Sequence, residues 1–322
     1  MKRVARLRPL VTCLLVGLTV APWALSAWAA AASPERVAVP AHRMSATQAV
    51  VLGLVEGITE YLPVSSTGHL LLAQRAMGIG ATPEDKQAAD AYAICIQLGA
   101  IVAVLGLYLG RVKQVLLGFA GRDRDGLGLG LNLIAAFVPA AILGLLFDDL
   151  IERHLLGLWP VVGAWFVGGA AILALARGRR SEAKEREAAD LTALTWKKAV
   201  VIGVAQCLAM WPGTSRSLVT IVGGVLMGLS TGAAVEFSFL LGVLTLGAAS
   251  SYSALKHGKE LLAIYGWVTP AIGFGVAALS AVLAVAWMVS YLKRRGLGVF
   301  GYYRILVALG TAALLLTKVL HA

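Results

Sequence analysis

Charged residues are scarce in this chain of 322 residues. Only 14% are Asp, Glu, Lys or Arg, whereas 59% are hydrophobic, and the mean hydropathy is +0.80. A single soluble core of this size does not need so much apolar material, so an ordinary soluble fold is excluded. The net charge of +11 would suggest a nucleic-acid partner in a soluble protein. Here the basic residues lie in short loops between apolar segments, where they report membrane topology, and no nucleic acid is expected.

Two kinds of chemistry lack their usual sequence signatures. The three cysteines lie in apolar stretches without paired or metal-ligand spacing, so neither redox nor zinc chemistry is expected. The pattern G-x-x-x-x-G-K-[ST] does not occur, which argues against a nucleotide P-loop.

Long apolar segments are the dominant feature of the sequence. A helix needs about 20 apolar residues to cross a bilayer core, and backbone polar groups in lipid must be satisfied within the helix. We therefore predict an all-α polytopic membrane protein with about six transmembrane helices. The predicted spans are 90–109, 131–147, 158–176, 231–251, 268–290 and 302–320.

The N-terminal segment has two interpretations. Residues 1–31 combine a basic start, an apolar middle and an A-x-A-like end at Ala27-Trp28-Ala29, which resembles a secretory signal peptide. The competing interpretation is that translation starts at Met44. In both cases we expect one integral-membrane domain over residues 44–322.

Loop charges predict how the chain is oriented. Residues 177–198 and 110–125 are rich in Lys and Arg, whereas residues 148–155 are mainly acidic. By the positive-inside rule the first two loops and the basic segment 291–304, which ends at Arg304, are cytoplasmic, and 148–155 is external. The segment before the first span is then expected to approach from the external side.

An internal repeat is visible when the chain is compared with itself. AVVLGLVE at 49–56 matches AVVIGVAQ at 199–206, and after a slip of one residue LPVSS at 62–66 falls beside WPGTS at 211–215. Each copy is expected to be a helix-loop-helix that enters the membrane and returns. The loop assignments make the copies inverted, and folds of this kind bind ligands near the midplane where the broken helices meet. The expected repeats span 46–148 and 198–290.

Two acidic residues lie inside the first copy. Glu56 and Glu60 are four residues apart, so a helix places both carboxylates on one face. One acidic residue at the bilayer centre costs about 2.5–3.5 kcal/mol, so the pair needs a partner. Either a divalent cation bridges the two, one of them stays protonated as an acid or base, or both are tied structurally to backbone or arginine. Oxygen ligands favour Mg²⁺ or Ca²⁺.

Hydroxyl residues follow the proline of each copy, where a second helix is expected to begin. Their side chains and the free backbone N–H groups there suit an anion, and the fork geometry of Arg216 suits phosphate. His69 follows closely, and serine beside histidine and carboxylates suits nucleophilic or general-base chemistry. The alternatives are that the serines only cap the helix and that Arg216 pairs with Glu56 or Glu60. The hydroxyl residues are Ser65, Ser66 and Thr67 in the first copy and Thr214, Ser215, Ser217 and Thr220 in the second.

The two motifs together resemble the paired signatures of a known family. EGITEYLPVSSTGHL at 56–70 and PGTSRS at 212–217, closed by Thr220, are similar to those of the bacterial undecaprenyl-diphosphatase family of the bacitracin-resistance type. The similarity runs from about Thr47 to the C-terminus. It implies an enzyme that removes the terminal phosphate of undecaprenyl diphosphate, so that the lipid carrier of peptidoglycan synthesis is reused and bacitracin resistance is conferred.

The resemblance also implies roles for individual residues around a divalent cation, Mg²⁺ or Ca²⁺, in a site that faces the external side. We expect Ser66 to attack, with His69 or Glu60 accepting its proton, and Arg216 to stabilise the transferring phosphoryl group. Attack by water, or by His69 itself, is left open. The expected catalytic residues are Glu60, Ser66, His69 and Arg216, the metal ligands are Glu56 and Glu60, and the substrate-binding residues are Ser65, Thr67, Thr214, Ser215, Ser217 and Thr220.

The expected partners are a polyprenyl diphosphate substrate and the lipids of the bacterial inner membrane, and a homodimer is left open. The alternative function is a lipid-phosphate flippase, because inverted repeats with broken helices are typical of secondary transporters. The crowding of Ser66 and His69 beside the acidic pair favours a hydrolase, since a carrier does not require it.

Overall fold

The computed structural model describes residues 44–80, 83–177 and 188–320. The predicted export signal at 1–31 lies outside these residues. Within them the chain is helical, and its only β-structure is an isolated bridge between Ala189 and Leu229. The α-helices in chain order are α1 (Ala46–Thr59), α2 (Ser66–Ala76), α3 (Pro83–Leu107), α4 (Leu109–Phe119), α5 (Arg124–Leu155), α6 (Leu158–Arg177), α7 (Trp196–Gln206), α8 (Arg216–Leu226), α9 (Thr231–Tyr265), α10 (Val268–Arg295) and α11 (Gly298–Leu316).

Six of the described helices are long and apolar enough to cross a bilayer, which confirms the predicted number and a multi-pass membrane protein. They are α3, α5, α6, α9, α10 and α11, and each carries an apolar stretch of 19 to 25 residues. Many large apolar side chains on these helices are exposed, for example Leu145 at 81% and Leu306 at 69%. Such exposure is expected where the surrounding solvent is hydrocarbon.

Three loops are shorter than the charge pattern predicted. The acidic segment 148–155 continues α5. The basic segment 110–125 is occupied by most of α4 and by the start of α5, and α10 and α11 leave only 296–297 between them. Arg304 therefore does not lie in a cytoplasmic loop. It lies within α11 and is fully buried, so its place there must come from contacts inside the protein.

Two pairs of short helices form the re-entrant segments. α1 with α2 and α7 with α8 contain helices of 11 to 14 residues, which at about 1.5 Å per residue are too short to cross. Ser65 and Ser215 precede the second helix of each pair, and both have a φ of 74°, a left-handed conformation that is rare for serine. The two copies therefore match at a constant offset of 150 residues. The predicted one-residue slip was wrong: Ser66 corresponds to Arg216, because the left-handed turn, and not the proline, is the shared feature.

The number of candidate spans between the two pairs agrees with the inverted repeats that the loop charges predicted. Among the described residues, α3, α5 and α6 are the helices between the pairs that are long enough to cross, whereas α4 is too short. Three crossings correspond to pairs that enter from opposite sides. The two pairs nevertheless meet inside the protein, since Leu62 and Val64 of the first loop share one hydrophobic core with Leu218 and Ile221 of α8.

Each re-entrant pair packs against a long helix of the other repeat. α1 packs against α10, and α7 packs against α5. Glycines at equivalent positions allow the close approach: a Cβ on Gly53 would meet the backbone of Gly273, and one on Gly203 would meet the backbone of Ala136. Small residues at such crossings let helix backbones touch. Because each pair packs on a long helix of the other repeat, the two loops are held close together inside the protein.

Candidate active site

The acidic pair lies at the end of α1. The backbone N–H of Glu60 donates to the carbonyl of Glu56 at 2.9 Å, so the helical geometry extends to Glu60 and stacks the two carboxyl groups on one face. Glu56 is 1% and Glu60 7% exposed. Two buried acids of this kind require specific partners.

Glu60 contacts residues of both repeats. Its Oε2 accepts a hydrogen bond from Ser66 Oγ, and its Oε1 lies 3.3 Å from Arg216 Nη2 in an ion pair with little exposure to solvent. Glu60 and Arg216 are 156 residues apart in sequence. The structure thus brings an acid, a hydroxyl and a guanidinium together from three helix ends.

Several contacts fix the guanidinium of Arg216. Its Nη1 donates to the carbonyl of Ser238 at 3.0 Å, and its Cζ lies 5.5 Å from the ring centre of Tyr61. A Cβ on Gly242 would overlap the guanidinium, so glycine provides the space that the group occupies. The hydroxyl of Thr220 lies 2.6 Å from the hydroxyl of Ser238, which ties the start of α8 to α9. Arg216 is therefore oriented before any ligand arrives.

The hydroxyls at the start of α8 join the two loops. Ser217 Oγ donates to the carbonyl of Leu62 at 2.9 Å, and Ser215 Oγ lies 3.5 Å from the same carbonyl. Ser215 also caps α8 by accepting from the backbone N–H of Leu218. These side chains are buried and bond to protein. Ser215 matches the capping alternative, whereas Ser217 joins the two loops and Ser65 makes no side-chain capping bond to α2.

The remaining predicted residues are less enclosed. Thr67 is exposed and Thr214 is half-buried. Ser65 is buried, and its carbonyl accepts a hydrogen bond from His69 Nδ1 at 2.7 Å. A carbonyl can only accept, so Nδ1 carries a proton and donates it. Nε2 lies 2.8 Å from the hydroxyl of Tyr303. Both ring nitrogens are thus occupied, and Ser66 bonds to Glu60 instead of to His69.

Glu56 has the properties of a cation ligand. Both of its carboxylate oxygens are buried, and neither has a hydrogen-bond partner among the described residues. Two carboxylates are few for a metal site, and residues 44–80, 83–177 and 188–320 contain no group of three or more His, Cys, Asp and Glu that could hold an ion. The residues fit a hard cation such as Mg²⁺, which keeps several waters and takes substrate phosphate oxygens as its other ligands.

A cleft of about 260 Å³ opens beside this cluster. Glu56 and Ser66 line it, whereas Glu60 and Arg216 do not. The rest of its wall is mixed: apolar side chains such as Leu70 and Ile94 lie among the polar and charged side chains of Thr67, Gln74, Arg75, Lys86, Asp90 and Gln97. The cleft therefore gives a ligand access to Glu56 and Ser66 along a partly charged wall.

Three contributors to the site were missed from the sequence. Tyr303 and Arg304 lie in a helix that reads as an ordinary span, and Gly242 is one glycine among 36. The only signal was the charge of Arg304, and its position near the basic segment at the end of α10 made it look like a topology residue.

Fold and site together define a polytopic α-helical membrane protein in which two inverted re-entrant loops enclose an acid, a hydroxyl and a guanidinium. The profile of the family described as "Bacitracin resistance protein BacA" matches residues 49–310. The chain belongs to this family.

Named relatives cover most of the chain. It is 46% identical over 267 residues to "Undecaprenyl-diphosphatase" of Sorangium cellulosum, covering 83% of this chain and 84% of the relative. It is 45% identical over 268 residues to "Undecaprenyl-diphosphatase 2" of Rhodospirillum rubrum, covering 82% and 94%. It is 40% identical over 268 residues to "Undecaprenyl-diphosphatase" of Albidiferax ferrireducens, covering 82% and 94%.

Proposed function

We propose that this protein is an undecaprenyl-diphosphatase, which hydrolyses undecaprenyl diphosphate to undecaprenyl phosphate and inorganic phosphate. Family membership and the names of the relatives support the activity. The observation that carries the assignment of the site is the contact of Glu60 with both Ser66 and Arg216. A phosphoryl transfer needs a nucleophile, a group that accepts its proton and a fixed positive charge, and this cluster supplies all three.

Ser66 is the proposed nucleophile. Its Oγ attacks the terminal phosphorus while its proton passes to Glu60 Oε2, the atom to which it already donates. The bond between the terminal phosphorus and the bridging oxygen breaks, the proton on Glu60 passes to that oxygen, and the lipid monophosphate leaves. The Glu60 carboxylate then takes a proton from a water molecule that attacks the phosphoserine; the bond between Ser66 Oγ and phosphorus breaks, Ser66 Oγ takes the proton back from Glu60, and phosphate is released. Arg216 faces the oxygens on which charge develops, where a preoriented guanidinium is effective.

His69 has a positioning role in this scheme. Its Nδ1 donates to the carbonyl of Ser65, the residue with the left-handed φ. A strained backbone persists only when its surroundings hold it. His69 thereby helps to fix the residue directly before Ser66, and it does not take the proton itself.

Glu56 and Glu60 are the proposed holders of Mg²⁺ or Ca²⁺. A bound divalent cation would neutralise phosphate oxygens of the substrate. Glu56 has both of its oxygens available for this purpose, whereas Glu60 already contacts Ser66 and Arg216.

The proposed location is the bacterial inner membrane, with the site open to the external, periplasmic side. The basic loops predicted to be cytoplasmic support this orientation. The polyprenyl tail is proposed to lie among the helices and the lipid, with the diphosphate in the cleft beside Glu56 and Ser66. A homodimer stays a prediction. The names of the relatives support the phosphatase and not the flippase alternative.

Phosphate release from undecaprenyl diphosphate and farnesyl diphosphate by the purified protein tests the proposal. We expect release with Mg²⁺ or Ca²⁺, loss of release with a chelator, and loss in Ser66→Ala. Ser251→Ala, which removes an exposed hydroxyl on α9, is the matched control and should release phosphate like the wild type. No release by the wild type would refute the activity, and full release by folded Ser66→Ala would refute the nucleophile.

A further inference from the structure

A second buried arginine lies next to the site and is not used by the chemistry above. Arg304 is 0% exposed and projects from α11, the last helix described. In the described part of the chain it forms no ion pair; its guanidinium donates to backbone carbonyls. An unpaired charge at such a place is costly, so a protein that keeps it there needs the contacts it makes.

The carbonyls bound by Arg304 belong to the two re-entrant loops and to α6. Nη1 lies 3.4 Å from the oxygen of Pro63. Nη2 lies 2.8 Å from the oxygen of Gly213 and 2.9 Å from that of Ala164. Pro63 and Gly213 are equivalent residues of the two copies at the offset of 150. A single guanidinium therefore donates hydrogen bonds to equivalent carbonyls in both repeats.

The two bound carbonyls lie close to the groups that do the chemistry. Pro63 is three residues before Ser66, and Gly213 is three residues before Arg216. Between them lie Ser65 and Ser215, whose left-handed φ of 74° turns the chain into each second helix. A shift of either carbonyl therefore moves Ser66 or Arg216.

A glycine of α6 leaves the space that the guanidinium of Arg304 occupies. A Cβ on Gly168 of α6 would overlap Nη2 of Arg304 and lie 2.9 Å from its Cζ, so only glycine leaves the space. A neighbouring residue, Trp165, donates from Nε1 to the carbonyl of Val64 at 2.9 Å. α6 and α11 thus bind the first loop by two separate hydrogen bonds. The second loop is bound by Arg304 and also by α6, because Trp211 Nε1 donates to the carbonyl of Pro160 at 3.1 Å.

We propose that Arg304 is a positioning residue of the active site: it sets the distance between the two re-entrant loops and so brings Ser66 and Glu60 into register with Arg216. The role requires a planar guanidinium whose N–H groups reach several carbonyl acceptors at once. Lysine cannot replace it, because its ammonium is a compact point charge. This inference rests on the proposed function for its activity readout. The distance between the loops can be measured independently of activity.

The first test compares steady-state kinetics of Arg304→Lys and Gly168→Ala with the wild type. Gly168→Ala keeps the arginine but displaces its guanidinium. We expect kcat to fall about 100-fold in both, as for a misplacement of about 1 Å, with KM near that of the wild type. Gly310→Ala on α11, where a Cβ would meet nothing within 4 Å, is the matched control and should behave like the wild type.

A merely structural role predicts a different result. Activity would then fall only in proportion to the folded fraction, and the folded protein would keep its kcat. A wild-type kcat per folded molecule in either variant overturns the proposal, including the case in which only the thermal midpoint falls.

The second test measures the distance between the loops by pulsed electron spin resonance. Spin labels are placed at Ile58 and Leu208, equivalent positions beside the two loops that are 44% and 65% exposed, in a background without other cysteines. We expect one narrow distance distribution without substrate, and a longer or broader one in Arg304→Lys and Gly168→Ala. An unchanged distribution in both variants overturns the proposal. Absence of phosphate release by the wild type would refute the proposed function but would leave this measurement valid.

Discussion

Substituting Gly242 by alanine should displace the guanidinium of Arg216 while every residue with a proposed chemical role is kept. The added Cβ would lie 2.5 Å from Cζ and 2.6 Å from Nη2 of the guanidinium, whereas ordinary contacts begin at 3.4 Å. The guanidinium must therefore shift by about 1 Å to restore ordinary contact with the new Cβ. A shift of this size is large beside the 3.3 Å between Nη2 and Glu60 Oε1, so the geometry of the ion pair would change. A misplacement of about 1 Å can cost about 100-fold in rate.

The assay for Gly242→Ala is phosphate release from a prenyl diphosphate, with the thermal midpoint in detergent measured in parallel. We expect kcat to fall by about 100-fold and the protein to remain folded. Gly247→Ala is the control on the same helix, since a Cβ there would meet nothing within 4 Å, and it should retain full turnover. Full turnover by Gly242→Ala would refute the reasoning, because the position of Arg216 would then not limit the rate.

Two further substitutions separate the metal site from the positioning of His69. Glu56→Gln should raise the Mg²⁺ concentration for half-maximal activity by about tenfold or more. Glu236→Gln, which changes a half-buried carboxylate paired with Arg111, should leave that concentration unchanged. The same metal dependence in both variants would exclude Glu56 as a ligand. Tyr303→Phe removes the hydrogen bond to His69 Nε2, worth about 1 kcal/mol, and should lower kcat about fivefold. A loss as large as that of Ser66→Ala would instead give the tyrosine and histidine a direct chemical role.

The transmembrane part of the fold was predictable because its signal is local. A segment that is apolar over 19 to 25 residues needs no knowledge of its neighbours to be recognised, and all six predicted spans were found. The exact pairing of the repeats was not predictable in the same way. Pro63 and Pro212 suggested a slip of one residue, but the left-handed turns at Ser65 and Ser215 depend on how each loop packs.

The parts of the site that come from one segment were also accessible from the sequence. Glu56 and Glu60 follow a helical spacing, and Ser66 is only six residues beyond Glu60. The position of Arg216 against Glu60 required the inverted repeat, from which the sequence predicted a shared site. Arg304 could not be assigned, because a charge near the end of a span looks the same whether it faces water or the carbonyls of two distant loops.

The central claim is that Glu60 and Arg216, from opposite repeats, act as one unit, and a double-substitution cycle on phosphate release tests it most directly. Glu60→Gln and Arg216→Gln should each lower kcat about 100-fold or more. In the double variant, kcat should fall no further than in the worse single variant, because groups that act as a unit are not additive. If the two losses multiply in folded protein, or if either single variant keeps wild-type turnover, the account is contradicted.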